Sequence, residues 1–320
     1  MASVSNHRGY TITLKIVVSA GILALIVSKT DLAASAERVG NLFQLQGATG
    51  IMIIYLQSLI VALRWSYILN IRGEAIPVSH LFRINLEGTF FNQALPSTVG
   101  GDVIRIQRLM KLGVPPMTAT SATLLDRVSG LVGLTVLFLA IVTFAWQKIP
   151  FFEVEFAIAP LVIFGLVSLG MTAIALRFVK TTILAKAIHF LTELKTHSQS
   201  LLVDKKSIIL LVVVSVGVHL CSVVAVYFFG RALDSDISFL AIFFTVPIVS
   251  VLTIIPISVG GWGVREMIFI FILSGFGVAT EDSFALSVAY GACLLIASLV
   301  GGILWILPLK TFHPKSQNRT

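Results

Sequence analysis

The sequence predicts an all-α polytopic membrane protein, with about six full spans and two re-entrant helical hairpins arranged as an inverted-topology repeat. Three observations predict it. Of 320 residues, 57% are hydrophobic and only 12% are charged, against about 25% charged in soluble domains, and mean hydropathy is +0.97. The apolar runs reach the roughly 20 residues that a bilayer crossing needs. Finally, one phrase occurs twice, half a chain apart.

Taken in order, full spans are expected at about 12–28, 50–69, 128–146, 156–176, 207–229 and 283–307. No small-residue cleavage site follows the first run, so it reads as a span rather than a removable signal. Two further regions, about 79–127 and 237–278, are apolar but interrupted by Pro and Gly. The polar connector 177–206 reads as an amphipathic cytoplasmic surface helix, with Ile183, Ala187, Phe190, Leu191 and Leu194 on one face. The chain is thus expected to be a single membrane domain over 1–320, with repeat one at about 10–148 and repeat two at about 155–308. Cys221 and Cys293 lie in separate apolar runs and suggest neither a disulfide framework nor a metal site.

Lysine and arginine set the expected orientation. With a cytoplasmic N-terminus, the inner segments carry Arg8, Lys15, six in 70–127, six from Arg177 to Lys206, and Lys310, Lys315 and Arg319, 17 in all. The outer segments carry only Lys29, Arg38, Lys148 and Arg231. Such a bias places both termini in the cytoplasm. The net charge of +8 therefore reads as topology and not as nucleic-acid binding. The same orientation makes 79–127 start and end inside and 237–278 start and end outside, so each region dips in and returns.

The repeated phrase lies in those two regions. "LPSTVGGDVIR" spans Leu95–Arg105 and "IPISVGGWGVR" spans Ile255–Arg265, matching at Pro96/Pro256, Val99/Val259, Gly100/Gly260, Gly101/Gly261 and Arg105/Arg265. An offset of 160 residues also superposes the flanking apolar runs. Three spans separate the copies, so the second is inverted. Such repeats, with broken helices meeting at the midplane, recur in secondary transporters.

Each residue type in the phrase has a role. Pro96 and Pro256 end an incoming half-helix, and the glycine pairs permit a tight turn. The outgoing half-helix then starts near Gly101 or Gly261, and its free N–H groups form an anion site. Arg105 and Arg265, one turn later, are placed to offer a guanidinium fork to phosphate. The alternative is structural: the glycines only let helices pack, and the arginines pair with Asp102 and Glu266.

Other charges lie at membrane depth, where each costs roughly 2.5–3.5 kcal/mol unless it faces a partner or a cavity. Arg83 and Glu87 have helical i,i+4 spacing and fit either mutual pairing or binding. Asp126 and Arg127 are expected to open a span at the cytoplasmic edge, with Asp126 the stronger functional candidate. Asp102 and Glu266 fit either a coupled proton or an arginine anchor. His219 reads as a hydrogen-bonded packing residue, and Asn92 and Gln93 as caps for the broken helix.

The phrases "NQALPSTVGGDVIR", "LLDRVSGLVGL" and "PISVGGWGVRE" resemble the flippase-like transmembrane family of lysylphosphatidylglycerol synthases, over nearly the whole chain. In that family the membrane domain is implicated in moving a modified phospholipid between leaflets, and bifunctional members carry aminoacyl transfer on a soluble C-terminal domain. This sequence ends at "LKTFHPKSQNRT", so the resemblance implies the flippase-like half only, in a bacterial cytoplasmic membrane.

The expected function is therefore movement of an anionic phospholipid, or a polyprenyl lipid or glycolipid, between leaflets by alternating access. The expected substrate-binding residues are Arg105, Arg265, Gly100, Gly101, Gly260, Gly261, Asp102, Glu266, Asp126 and Arg127, with Pro96 and Pro256 as hinges. No cofactor or metal is expected. The alternatives are a membrane enzyme using a lipid-linked donor, with Asp102, Asp126 and Glu266 as bases, and a scaffold for a lipid- or glycan-modifying partner. Small residues at Gly291 and Gly301–Gly302 suit packing within a chain or in a homo-oligomer.

Overall fold

The structure, a computed structural model, describes residues 44–94, 100–145, 205–253, 258 and 260–308. The spans expected at 12–28 and 156–176, residues 177–204 of the connector, Pro96 and Pro256 lie outside the described residues. Those described form helices only: α1 (Leu45–Ile71), α2 (Val78–Ala94), α3 (Gly100–Lys111), α4 (Pro116–Ala145), α5 (Lys205–Ala232), α6 (Phe239–Leu252), α7 (Val264–Gly275) and α8 (Thr280–Ile306).

Four of these, α1, α4, α5 and α8, are long and apolar enough to cross a membrane. At 1.5 Å per residue, 27 residues extend about 40 Å, beyond the roughly 30 Å hydrocarbon core. In α8, 56% of the apolar window is buried, against about a third or less in the other three, so α8 is the most buried of the four. The remaining helices are short and come in two pairs, α2–α3 and α6–α7, each flanking one copy of the repeated phrase.

One boundary corrects the sequence reading. The third span does not start near 128: α4 begins at Pro116, where a fixed φ favours the first helical position. In the polar run after it the hydroxyls find partners within the helix, Thr120 on the Pro116 carbonyl at 2.8 Å and Thr123 on Ala119 at 2.9 Å. Asp126 and Arg127 are therefore not at the start of the helix. They lie ten residues into α4, about 15 Å along its axis.

The principal packings map onto themselves when α1–α4 are exchanged for α5–α8. Contacts α1–α2, α2–α3, α3–α4 and α1–α4 have counterparts α5–α6, α6–α7, α7–α8 and α5–α8. Across the halves, α2–α8 answers to α6–α4 and α4–α5 to α8–α1, while α1–α5 maps to itself. The described buried apolar residues form two cores. One gathers Trp65, Leu69, Leu81, Ile84 and Leu109 from α1–α3, and the other gathers Phe229, Ile242, Phe269 and Leu286 from α5–α8. The second also takes Ile54 of α1 and Leu137, Phe138 and Ile141 of α4.

The ends of several helices meet at one end of the bundle. Tyr67 near the end of α1 hydrogen-bonds Ser207 at the start of α5 (2.7 Å), and Arg72 just beyond α1 donates to Ser121 near the start of α4 (2.5 Å). Arg83, early in α2, reaches the Leu304 carbonyl at the end of α8 (2.5 Å). This end is called proximal below. Helix α6 starts beyond the far end of α5, at the distal end, where Ser238 caps it by accepting from the Ala241 amide.

Candidate functional site

The repeated glycines are used in two ways. Gly260 and Gly261 hold φ of +58° and +81°, a left-handed backbone that side-chain-bearing residues resist. Gly100 and Gly101 are instead the first residues of α3. Here close approach sets the requirement, because a Cβ at Gly101 would lie 2.2 Å from the Gly88 carbonyl oxygen of α2. The Gly101 amide donates to the Asn92 side chain at 2.8 Å, which occupies one of the free donors that open any helix. The two phrases also approach each other: a Cβ at Gly260 would lie 3.4 Å from Gln93 Oε1 and 3.6 Å from the Gln93 carbonyl.

Beneath α3 lies a buried charge cluster. Asp126 accepts from two arginines at once, Arg64 Nε on Oδ1 and Arg105 Nη2 on Oδ2, both at 2.8 Å. Arg64 also donates to Ser215 of α5 at 2.8 Å. Asp102 lies 3.7 Å from Arg105 and takes a forked contact from Arg127 at 2.8–3.0 Å. The Arg105 guanidinium stacks on Trp65, 4.0 Å from the ring centroid. Arg64, Arg105 and Asp126 are all buried. Three arginines face two carboxylates here.

A second cluster joins the first hairpin to α8. Glu87, fully buried, accepts from Arg108 Nε at 2.6 Å and Arg83 Nε at 3.0 Å. Both arginines also reach the open carbonyls at the end of α8. Arg83 donates to Leu304, Leu307 and Pro308, and Arg108 donates to Trp305 at 3.1 Å while stacking on its ring. Cations are favoured at a helix C-terminus, where the partial charge is negative.

In the second half, Arg265 pairs with its neighbour Glu266 at 2.7 Å and stacks on Trp262 at 4.4 Å. Glu266 also accepts from the Gly263 amide at 2.6 Å and from Ser287 at 3.3 Å. Arg265 lies flat on α8, where a Cβ at Gly291 would meet the guanidinium at 1.9 Å. Arg105 and Arg265 thus belong to separate networks.

With this geometry in view, the family model for the lysylphosphatidylglycerol synthase TM region matches residues 12–302. The chain belongs to that family. No curated protein matches it.

Within this lysylphosphatidylglycerol synthase TM-region chain, the pairs weighed from the sequence take definite form. Arg83–Glu87 and Arg265–Glu266 are ion pairs, His219 bonds the Gly130 carbonyl at 2.9 Å, and Asn92 caps α3. Asp126 binds Arg105 and Arg64, while Arg127 is the main partner of Asp102. The sequence reading passed over Arg64, Trp65 and Arg108. Arg64 carried a usable signal, since it stands inside an apolar span where insertion cost alone marks an arginine.

Proposed function

We propose that the protein carries an anionic lipid between the two leaflets of the bacterial cytoplasmic membrane by alternating access. In this reading α2–α3 and α6–α7 are re-entrant hairpins and the two halves form an inverted-topology repeat. One observation carries it: broken helices that start from opposite ends of the bundle converge where Gln93 meets Gly260. Two matched gates facing opposite leaflets are what alternating access requires. The self-mapping of the helix packings supports the repeat.

Irregular backbone at that depth is tolerated where protein or water surrounds it, so the turns suit a path for a polar headgroup. The acyl or prenyl chains would stay in the bilayer, against the exposed apolar residues of α1 and α4 such as Met52, Leu56, Val132 and Val136. The arginine excess beneath α3 selects the negative headgroup. Rocking of one half against the other, along the α1–α5 seam, would expose that site to each side in turn.

Reconstitution in liposomes tests this directly. With fluorescent phosphatidylglycerol in both leaflets and a membrane-impermeant quencher outside, the protein is expected to make the protected inner pool accessible in proportion to protein added. An inner pool as protected as in protein-free liposomes overturns the reading.

A further inference from the structure

Resting on that reading, we infer that the headgroup site is built for a single negative charge of the phosphodiester class, and that it belongs to the first half of the chain alone. Arg64, Arg105 and Trp65 bind the headgroup there.

Charge counting is the first support. Among the described residues, Arg64, Arg105 and Arg127 face Asp102 and Asp126, which leaves one positive charge over. Arg64, Arg105 and Asp126 are 6%, 4% and 2% exposed, and an uncompensated charge at such depth calls for a counter-ion. The other cluster, Arg83 and Arg108 on Glu87, also has one excess charge. It is already met by the carbonyls ending α8, so no ligand is needed there.

Unused donors are the second support. Arg105 Nε and Trp65 Nε1 are buried and have no hydrogen-bond partner among the described residues, although Trp65 is fully buried and its ring stacks on Arg105. Buried N–H groups are nearly always paired in folded proteins. Two orphan donors on stacked side chains, beside the excess charge and the N-terminal half of α3, suit the oxygens of a phosphodiester.

The second half keeps the counterpart of Arg105, Arg265, but not the other parts of this site. With the 160-residue offset, Arg64, Trp65 and Asp126 correspond to Val224, Ala225 and Leu286. Arg265 is neutralised by Glu266 beside it. The site therefore attracts a monoanion from one side and offers no matching charge on the other. A dianionic phosphomonoester would leave a negative charge over, and a zwitterion would bring its cation against three arginines.

The test is lipid retention by native mass spectrometry on delipidated protein, offered phosphatidylglycerol, phosphatidic acid, phosphatidylcholine and inorganic phosphate. Wild type is expected to hold phosphatidylglycerol at least tenfold above phosphatidylcholine, and above phosphatidic acid. Trp65→Phe, which keeps the ring and removes the N–H, should cut that preference severalfold. Arg64→Gln removes the excess charge but leaves Asp126 paired with Arg105, and should abolish the preference; Arg64→Lys should restore it. Arg265→Gln/Glu266→Gln should leave it intact. Unchanged preference in both Trp65→Phe and Arg64→Gln, or its loss in Arg265→Gln/Glu266→Gln, overturns the site. Tight retention of inorganic phosphate without lipid preference would overturn the lipid headgroup as ligand. The same variants in the liposome assay separate the two claims. Lipid movement with unaltered preference sinks the site alone, and a preference that follows these variants without lipid movement sinks translocation alone.

Discussion

Asp126 is the residue on which the first network turns, because its two oxygens serve two arginines from different helices. Removing one partner of a buried pair leaves uncompensated charge and costs about 3–5 kcal/mol. Asp126→Ala, which strands both guanidiniums, is expected to fall in or above that range and to lower the thermal midpoint in detergent more than any single arginine substitution. Adding Arg64→Gln should recover part of the loss, since one stranded charge is then gone. Full additivity of the two losses would show that Asp126 acts independently of Arg64. This network was only partly legible in sequence. Arg105 and Arg265 hold the same place in the same phrase, yet the partner of one is the adjacent residue and the partners of the other lie on α1 and α4. Periodicity finds such residues but cannot say which helices meet.

At the scale of elements, the joint between the α2–α3 hairpin and α8 combines three devices. Two arginines satisfy the final carbonyls of α8, Glu87 holds those arginines, and Gly301 lets the backbones touch, since a Cβ there would sit 2.0 Å from the Leu86 carbonyl oxygen. Arg108→Ala loses the buried ion pair and the stack on Trp305. Arg83 is the more exposed partner of the pair, and its alanine substitution should cost less. Hydrogen exchange across residues 301–307 checks this, with faster exchange in Arg108→Ala than in Arg83→Ala; exchange as slow in both variants as in wild type would mean the end of α8 is held by something other than these arginines. The turn of the second phrase makes a different prediction. Gly260→Ala must enter a left-handed conformation at a cost of roughly 1–2 kcal/mol, whereas Gly100→Ala stays helical and should be near neutral in thermal unfolding. The hydrophobic runs located α1, α4, α5 and α8, but α4's early start was hidden by a polar run whose hydroxyls bond back to its own helix. Proline and glycine marked both breaks without revealing that one glycine pair lies inside a helix and the other in a turn.

Across the whole molecule, the offset of 160 residues that aligns the two phrases also aligns the helices. Helix α5 begins 160 residues after α1, and the other starts agree within four residues. The proposed inverted repeat needs opposed charge bias at the two ends of its spans, and the positions of the lysines and arginines fit that need. Arg72, Lys111, Lys205 and Lys206 stand at or next to helix ends, and the hydrogen bonds of Tyr67, Arg72 and Arg83 gather ends of this group at the proximal end. Asp234 and Asp236 lie at the distal end, between α5 and α6. Positive charge faces the cytoplasm, so the proximal end should be cytoplasmic. Ala75 and Asp236 are both exposed, one near each end. In a Cys221→Ser/Cys293→Ser background, Ala75→Cys is expected to resist an impermeant maleimide in intact cells and to react once the membrane is opened, while Asp236→Cys reacts in both. The reverse pattern would place the Arg64–Arg105 site on the outer side, and a headgroup captured there would travel inward. The orientation thus sets the direction in which a one-sided site can load, which neither half of the repeat decides by itself.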